Sequence, residues 1–205
     1  MASKIINIII AGTGGQGVSS LYRILLNLCD RNAIYSKGAL FKGGAQRHGT
    51  VHATLRLFFD SDPEKQWYSS QIREKYLDLL IGLEPWETLR YSKFTSDKTL
   101  IRSNTMVVPL FSKRFLATSA ANPVELLMRL PGNVRVENYS EMAYNKFNDQ
   151  RMANYLIGIE TIKSGILPFG KNGFIDEFID IIKPARKIED LIRKDILRNG
   201  EMEKK

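Results

Sequence analysis

Three short stretches of the chain carry residue types and spacings suited to binding chemistry. The first, Gly12-Thr13-Gly14-Gly15-Gln16-Gly17, satisfies G-x-G-x-x-G. Glycines at this spacing let the backbone turn tightly and let an anion reach the free N–H groups of a helix N-terminus. A dinucleotide site also needs an acidic residue near the end of the second strand, for the ribose hydroxyls. The sequence there reads Tyr35-Ser36-Lys37, with no carboxylate, and only Lys37 on the extra phosphate of NADP keeps that reading open. Two others stand beside it. The glycines can serve close strand-to-helix packing alone, or the turn, with Gln16 as a polar side chain, can meet an anion or a protein partner at the carboxyl edge of a sheet.

The second stretch is Gly43-Gly44-Ala45-Gln46-Arg47-His48-Gly49. Its glycines free the backbone, and Gln46 and Arg47 offer a fork of donors suited to carboxylate or phosphate; an ordinary polar loop would look the same. The third is Glu84, which closes an apolar run. At the carboxyl edge it would orient a ligand or a partner's arginine, or cap the helix that follows.

Bond-making chemistry is harder to assemble. His48 and His52 are the only histidines; four residues apart on a strand they would face one side, but two imidazoles make an incomplete metal shell. Ser19 and Ser20 stand at a helix start, where capping explains them. Cys29, the single cysteine, falls on an apolar helix face and reads as core. One cysteine allows no internal disulfide and fits a reducing cytoplasm. It also cannot hold an iron–sulfur cluster, which takes about four thiolates. Trp67 and Trp86 suit interface anchoring or, more commonly, packing.

The elements that must position these groups follow from periodicity. Ile5 to Ala11 is a nearly unbroken apolar run, the pattern of a strand buried on both faces. Val18, Leu21, Tyr22, Leu25, Leu28 and Cys29 share one face of a helix, and a short strand near Ala33 to Ser36 would complete a βαβ unit. Lys37 to Gly49 reads as a long loop. Val51, Ala53, Leu55 and Leu57 alternate with polar residues as in a strand with one polar face. Leu77 to Leu83 is a further buried strand, and Pro85 opens a helix through Tyr91. Short strands are expected at Thr99 to Arg102 and Val134 to Glu137, and a helix at Pro123 to Leu130, while Asn104 to Ala121 is ambiguous. Asp149 would cap a helix burying Met152, Tyr155, Leu156, Ile159 and Ile162 and stopping at Gly165. Phe174 to Ile182 and Ile188 to Leu197 complete the set. The expected fold is a three-layer α/β domain with a mostly parallel sheet, a Rossmann-like N-terminal βαβ and a helical C-terminal end. Residues 1–205 are read as one domain, with helices at about 149–200 packing on it.

The chain has 205 residues, 43% of them apolar, enough for a sizeable core. No apolar run approaches the roughly 18 to 20 residues needed to cross a bilayer. Lys4 and the short run after it lack a small-residue cleavage pattern, so a secretory leader is not expected. The net charge of +8 raises a nucleic-acid reading, but the cations are spread. The mild cluster Arg90, Lys93, Lys98, Arg102, Lys113 and Arg114 would be a solvated surface, or a face for an acidic protein or polyphosphate.

The Gly14 to Gly17 turn paired with the Ala45-Gln46-Arg47-x-Gly49 loop resembles the gamma-type domain of 2-oxoacid:ferredoxin oxidoreductases. Glu84-Pro85-Trp86-Glu87-Thr88-Leu89-Arg90-Tyr91 is similar to the E-P-x-E-A-L-R-Y segment of the indolepyruvate type's beta subunit, and Arg151-Met152-Ala153-Asn154 to its R-x-A-N helix start. Gly44 and His48 depart from the usual methionine before the AQR and glycine after it. The resemblance implies a subunit of a heteromeric enzyme that decarboxylates 2-oxoacids on thiamine diphosphate, reduces ferredoxin through iron–sulfur clusters and releases acyl-CoA. A large alpha-type partner would carry the thiamine site, the clusters and the CoA chemistry, and this chain would hold none of these cofactors alone. Its contacting residues would be Gly12, Gly14, Gly15, Gln16, Gly17, Gln46, Arg47 and Glu84, with no catalytic residue, no metal, no nucleic acid and no membrane. Two rival classes remain, a free-standing NAD(P) oxidoreductase and a basic nucleotide- or nucleic-acid-binding module.

Overall fold

The isoleucine-rich run Ile5–Thr13 forms β1 in the interior of a six-stranded sheet, in a computed structural model that describes residues 5–43, 49–59, 69–108 and 121–200, with side chains through 194. The other strands are β2 (Tyr35–Lys42), β3 (Thr50–Phe58), β4 (Leu79–Gly82), β5 (Leu100–Asn104) and β6 (Asn133–Glu137), in the order β2-β3-β1-β4-β5-β6. β1, β4, β5 and β6 pair in parallel. β3 is antiparallel to both β1 and β2, so five strands share one direction and β3 alone is reversed. The α/β class and the mostly parallel sheet agree with the sequence reading.

Two local expectations are corrected. The second strand does not lie beside β1, because β3 is inserted between them. Residues 37–42, expected in a loop, belong to β2. Gly38 reads as a loop residue in sequence, yet a Cβ there would stand 2.5 Å from the Tyr22 hydroxyl and 2.7 Å from the Thr54 carbonyl oxygen. It is a strand glycine that admits close neighbours.

Because successive strand residues point to opposite faces, β1 feeds two cores. Ile6, Ile8 and Ile10 pack in the larger one. That face is covered by α1 (Val18–Arg31), α4 (Tyr139–Phe147), α5 (Ala153–Lys163), α6 (Lys171–Ile182) and α7 (Arg186–Gly200). Ile9 and Ala11 join Ile72, Leu77, Leu80 and Ile101 in the smaller core, with Tyr91 and Phe94 packed against it. These two aromatics follow the short α2 (Pro85–Leu89), on which α3 (Pro123–Met128) packs. Each fully buried aliphatic or aromatic side chain contributes about 1.5–3 kcal/mol of transfer free energy, which makes the α1 side the stronger layer.

The expected face of α1 is buried at Val18, Leu21, Leu25, Leu28 and Cys29, with Ile24 added. Burial pushes the Cys29 thiol up to about 11, so it is inert core. Asp149 accepts from Arg151 N at 2.9 Å and caps a 3-10 turn at Gln150–Met152 that leads into α5. Gly165, at φ 74°, follows the helix. α4 was not expected; Asn138 caps it, accepting from Glu141 N at 3.1 Å while its own amide donates to Glu141 Oε2 at 2.8 Å. Among the described residues no helix is long and apolar enough to cross a membrane.

Candidate functional site

The carboxyl ends of β1, β4 and β5 and the glycine turn after β1 form one edge of the molecule. Gly15 and Gly17 sit at φ 94° and 95°, a region that L side chains adopt at a cost. A Cβ on Gly17 would lie 2.3 Å from Asn154 Nδ2, whereas one on Gly15 would meet nothing within 4 Å. Gly17 is therefore required by packing against α5, while Gly15 is open to solvent. Gly17 is also the cap residue of α1, with no side-chain cap bond, so Ser19 and Ser20 do not cap the helix as expected.

Gln16 turns inward. Its Oε1 accepts from Thr13 N at 2.8 Å and its Nε2 donates to the Leu83 carbonyl at 3.1 Å. The amide thus pins the turn to the end of β4 and is spent inside the protein. Gly12 makes room for it, since a Cβ there would stand 3.0 Å from Gln16 Oε1 and 3.1 Å from Leu83 Cβ.

The second loop starts and ends at the same edge. Gly14 N donates to the Gly49 carbonyl at 2.9 Å, and Gly43 N to the Thr50 carbonyl at 2.7 Å. Gln46 and Arg47 lie outside the described residues, as do Trp67, Lys113 and Arg114.

Glu84 is fully buried. Its Oε2 accepts from Glu87 N at 2.7 Å, capping α2, and its Oε1 accepts from Val108 N at 3.4 Å. Burial pushes its carboxyl up to about 7, against the opposing pull of these N–H groups. Of the two roles the sequence allowed, the structure shows the cap. Glu87 is equally buried and is also raised by burial, with Arg90 pulling the other way.

Two clefts flank the turn. One, of about 300 Å³, lies between the turn and the ends of β4 and β5, with apolar walls from Leu83, Met106, Val108 and Ala153. Its polar floor is internally bonded, Asn104 Nδ2 donating to Ser140 Oγ at 2.8 Å. The other, of about 370 Å³, lies on the α1 side, bounded by Gly17, Ser20, Asn154 and Lys183. Arg151 borders both, paired with Asp149 at 2.7 Å. Two buried atoms of this edge, Thr13 Oγ1 and Asn154 Oδ1, have no hydrogen-bond partner within the described chain. Most buried polar atoms are satisfied, so such orphans mark places completed by something else. The described residues of the two clefts include no histidine or cysteine. What the edge offers is apolar walls, unspent polar atoms and an open glycine backbone.

Other candidates disperse. His52 stacks on Phe41 at 4.5 Å and meets Tyr91 at 5.1 Å, its pKa lowered by burial. The described arginines of the mild cation cluster and Lys93 are engaged by carboxylates. Arg90 pairs with Glu87, Lys93 with Glu74, and Arg102 is buried beside Glu160. Asn104, Ser140, Met106 and Val108 were not singled out from the sequence. They come from two separated segments, 104–108 and 140, whereas Arg151, Ala153, Asn154 and the glycine turn carried a motif signal.

The family described as pyruvate ferredoxin/flavodoxin oxidoreductase matches residues 7–168. An indolepyruvate oxidoreductase subunit IorB from Archaeoglobus fulgidus is 35% identical over 100 residues, 49% of this chain and 46% of that one. Its counterpart from Methanothermobacter thermautotrophicus is 25% identical over 191 residues, 91% and 92% of the two chains. The match thus spans about half the length of the first relative and nearly all of the second. Among solved structures, the gamma subunit of a keto/oxoacid ferredoxin oxidoreductase from Geobacter sulfurreducens shares the fold at TM-score 0.62, with 15% identity, covering 93% of this chain and 91% of that one. A 2-oxoglutarate:ferredoxin oxidoreductase from Magnetococcus marinus, with 2-oxoglutarate, coenzyme A and succinyl-CoA bound, matches at 0.66 and 13% identity over 98% of this chain and 31% of that one. The matched span runs from β1 through the glycine turn past the end of α5, taking in the first cleft and the turn side of the second, and on that ground the chain belongs to the pyruvate ferredoxin/flavodoxin oxidoreductase family.

Proposed function

We propose that this chain is the non-catalytic small subunit of a 2-oxoacid:ferredoxin oxidoreductase of the indolepyruvate type, active only in complex with a large cofactor-bearing subunit. The observation that carries this reading is the position of β3. A dinucleotide fold keeps the second strand beside the first, with its terminal carboxylate near the ribose. Here β3 separates them, which sets β2 two strand spacings, roughly 10 Å, from β1. The loop end at Gly49 is bonded to Gly14 at the same edge. This geometry favours docking over gripping a dinucleotide.

The residues fit that division of labour. An iron–sulfur cluster takes about four thiolates, and the one cysteine here is buried in α1, so clusters belong to the companion, as does thiamine diphosphate. Gly14 and Gly15 form the docking edge, Gly12, Gln16 and Gly17 shape it from within, Gln46 and Arg47 are proposed as its donors, and Glu84 supports it from behind through Val108. The cleft beside the turn shapes the approach of the 2-oxoacid or of CoA to the companion's cofactor. Residues 1–205 act as one domain in the cytoplasm, and ferredoxin meets the complex, not this chain alone.

Co-expression with a large companion that carries thiamine and iron–sulfur sites tests this. The expected result is 2-oxoacid-dependent ferredoxin reduction by the pair and none by either chain alone. Substrate oxidation by the isolated chain with NAD(P) would overturn it.

A further inference from the structure

The cleft of about 370 Å³ on the α1 side gathers hydrogen-bond donors and lacks acceptors for them. Gly17 caps α1 with no side-chain bond, and the first turn of this 14-residue helix holds no acid. The first N–H groups of a helix have no partner inside it, and with the aligned peptide dipoles they carry roughly half a positive charge. Ser20, at the third helical position, adds a hydroxyl to the same cleft.

A helix start alone would be an ordinary solvated end, and a second observation sets this one apart. Asn154 of α5 lines the cleft and is 5% exposed. Its amide nitrogen, not its oxygen, is the atom nearest Gly17, for a Cβ on Gly17 would meet Nδ2 at 2.3 Å. Its Oδ1 has no hydrogen-bond partner among the described residues. An amide oxygen at the positive end of α1 would be favoured there, whereas an amide N–H sets donor beside donor. Buried polar side chains are rarely left in that state, and an acceptor brought from outside resolves it.

The charges at the rim say what kind of acceptor fits. Arg151 and Asp149 offset one another at 2.7 Å. Lys183, exposed at the end of α6, forms no ion pair among the described residues. One lysine and one helix end match a single carboxylate, and Ile182, Pro184 and Ile188 supply an apolar wall for the methylenes of its side chain. Gly15, Gln16 and Arg151 border both clefts, so this cleft is continuous with the edge proposed for docking. We infer that the companion subunit places an acidic side chain, Asp or Glu, in the α1-side cleft, its carboxylate accepting from the first N–H groups of α1 and from Asn154 Nδ2, beside Lys183. The inference rests on the docking reading and adds to it the chemistry of the contact.

Ser20→Asp tests this in the co-expressed complex. An acid in the first turn favours a helix, so the variant should fold with an unchanged or higher urea midpoint, while its carboxylate occupies the cleft and repels the companion's. Association should weaken at least tenfold. Lys183→Glu should weaken it at least threefold, and Lys98→Glu, the same reversal at an exposed position elsewhere, should leave it within twofold. Replacing the companion's exposed acidic residues by lysine, one at a time, should find a change that restores association with Ser20→Asp. Normal association of Ser20→Asp where Gln16→Ala weakens it would overturn the inference and leave the docking edge standing, whereas no association of the wild-type pair would remove both. Equal loss with Lys98→Glu, or failure of every companion reversal to restore binding, would also overturn it. So would a phosphate-bearing small molecule, found by mass spectrometry on the isolated wild-type chain and lost in Ser20→Asp.

Discussion

Glu84 at the cleft edge and Glu177 in the helical layer are both fully buried carboxylates, and their surroundings differ in kind. Glu177 faces Arg31 at 2.5 Å and accepts from Asn27 Nδ2 at 3.0 Å, tying α6 to α1. Around it the layer is closed by aromatic packing, with Tyr155 and Phe178 at 4.9 Å and Phe147 and Tyr155 at 5.7 Å. Glu84 accepts only from backbone N–H groups, those of Glu87 and Val108. The helical layer ties its buried carboxylate to side chains of a neighbouring helix and supplies stability. At the edge, Thr13 Oγ1 and Asn154 Oδ1 stay unspent, a cost of about 1–3 kcal/mol for each unsatisfied buried group, which fits the docking proposed there.

The largest expected effect lies in the helical layer. Phe178→Ala removes a fully buried ring from the aromatic cluster and should cost about 3–5 kcal/mol in urea unfolding. Met106→Ala, at a residue 40% exposed in the cleft wall, should cost under about 1 kcal/mol. Equal losses would erase the distinction between the two regions.

Next comes the contact where edge and layer meet. Gly17→Ala places a Cβ at φ 95° and 2.3 Å from Asn154 Nδ2, with an expected cost of about 2–3 kcal/mol. Combined with Asn154→Ala, the loss should be smaller than the sum of the two single losses, because the clash is relieved. Strict additivity would mean that backbone conformation, not packing, demands this glycine. Gln16→Ala should cost about 2 kcal/mol by freeing Thr13 N and the Leu83 carbonyl. Because the turn then loosens at the proposed docking edge, less companion should co-purify with the variant, and unaltered recovery at matched stability would count against that proposal.

The layer was the more legible region. The apolar faces of α1 and α5 are spelled out at helical spacing, and β1 and β4 by unbroken apolar runs. What sequence could not show was which strand lies beside which. Alternation in Val51 to Leu57 reveals a half-polar strand, but nothing in it says that β3 inserts between β2 and β1, because that pairing is fixed by contacts between distant segments. α4 was missed because its apolar periodicity is weak, although Asn138 and Glu141 carry the spacing of a helix start. At the edge, the glycines were legible as a turn, but the inward use of Gln16 and the Gly17–Asn154 contact depend on chain segments far apart in sequence.

The most direct probe of the buried carboxylate at the edge is Glu84→Gln. The folded protein holds the Glu84 proton up to about 7, whereas an unfolded chain releases it near the ordinary carboxyl value of 4.5. Between those values the native state binds more protons than the unfolded one, so this group's contribution to stability is greatest at low pH and falls as pH rises through the window. One unit of such displacement is worth about 1.4 kcal/mol. Glutamine cannot ionise, and its Oε1 can still accept from Glu87 N, so the variant should lose less stability than the wild type between pH 5 and pH 8. Urea midpoints at four pH values would show it as a flatter profile. Glu87 remains in both proteins, so the difference between profiles belongs to position 84. Parallel profiles would mean that the buried carboxyl at the edge is fully compensated by its N–H donors, and the contrast between the two regions would fail there.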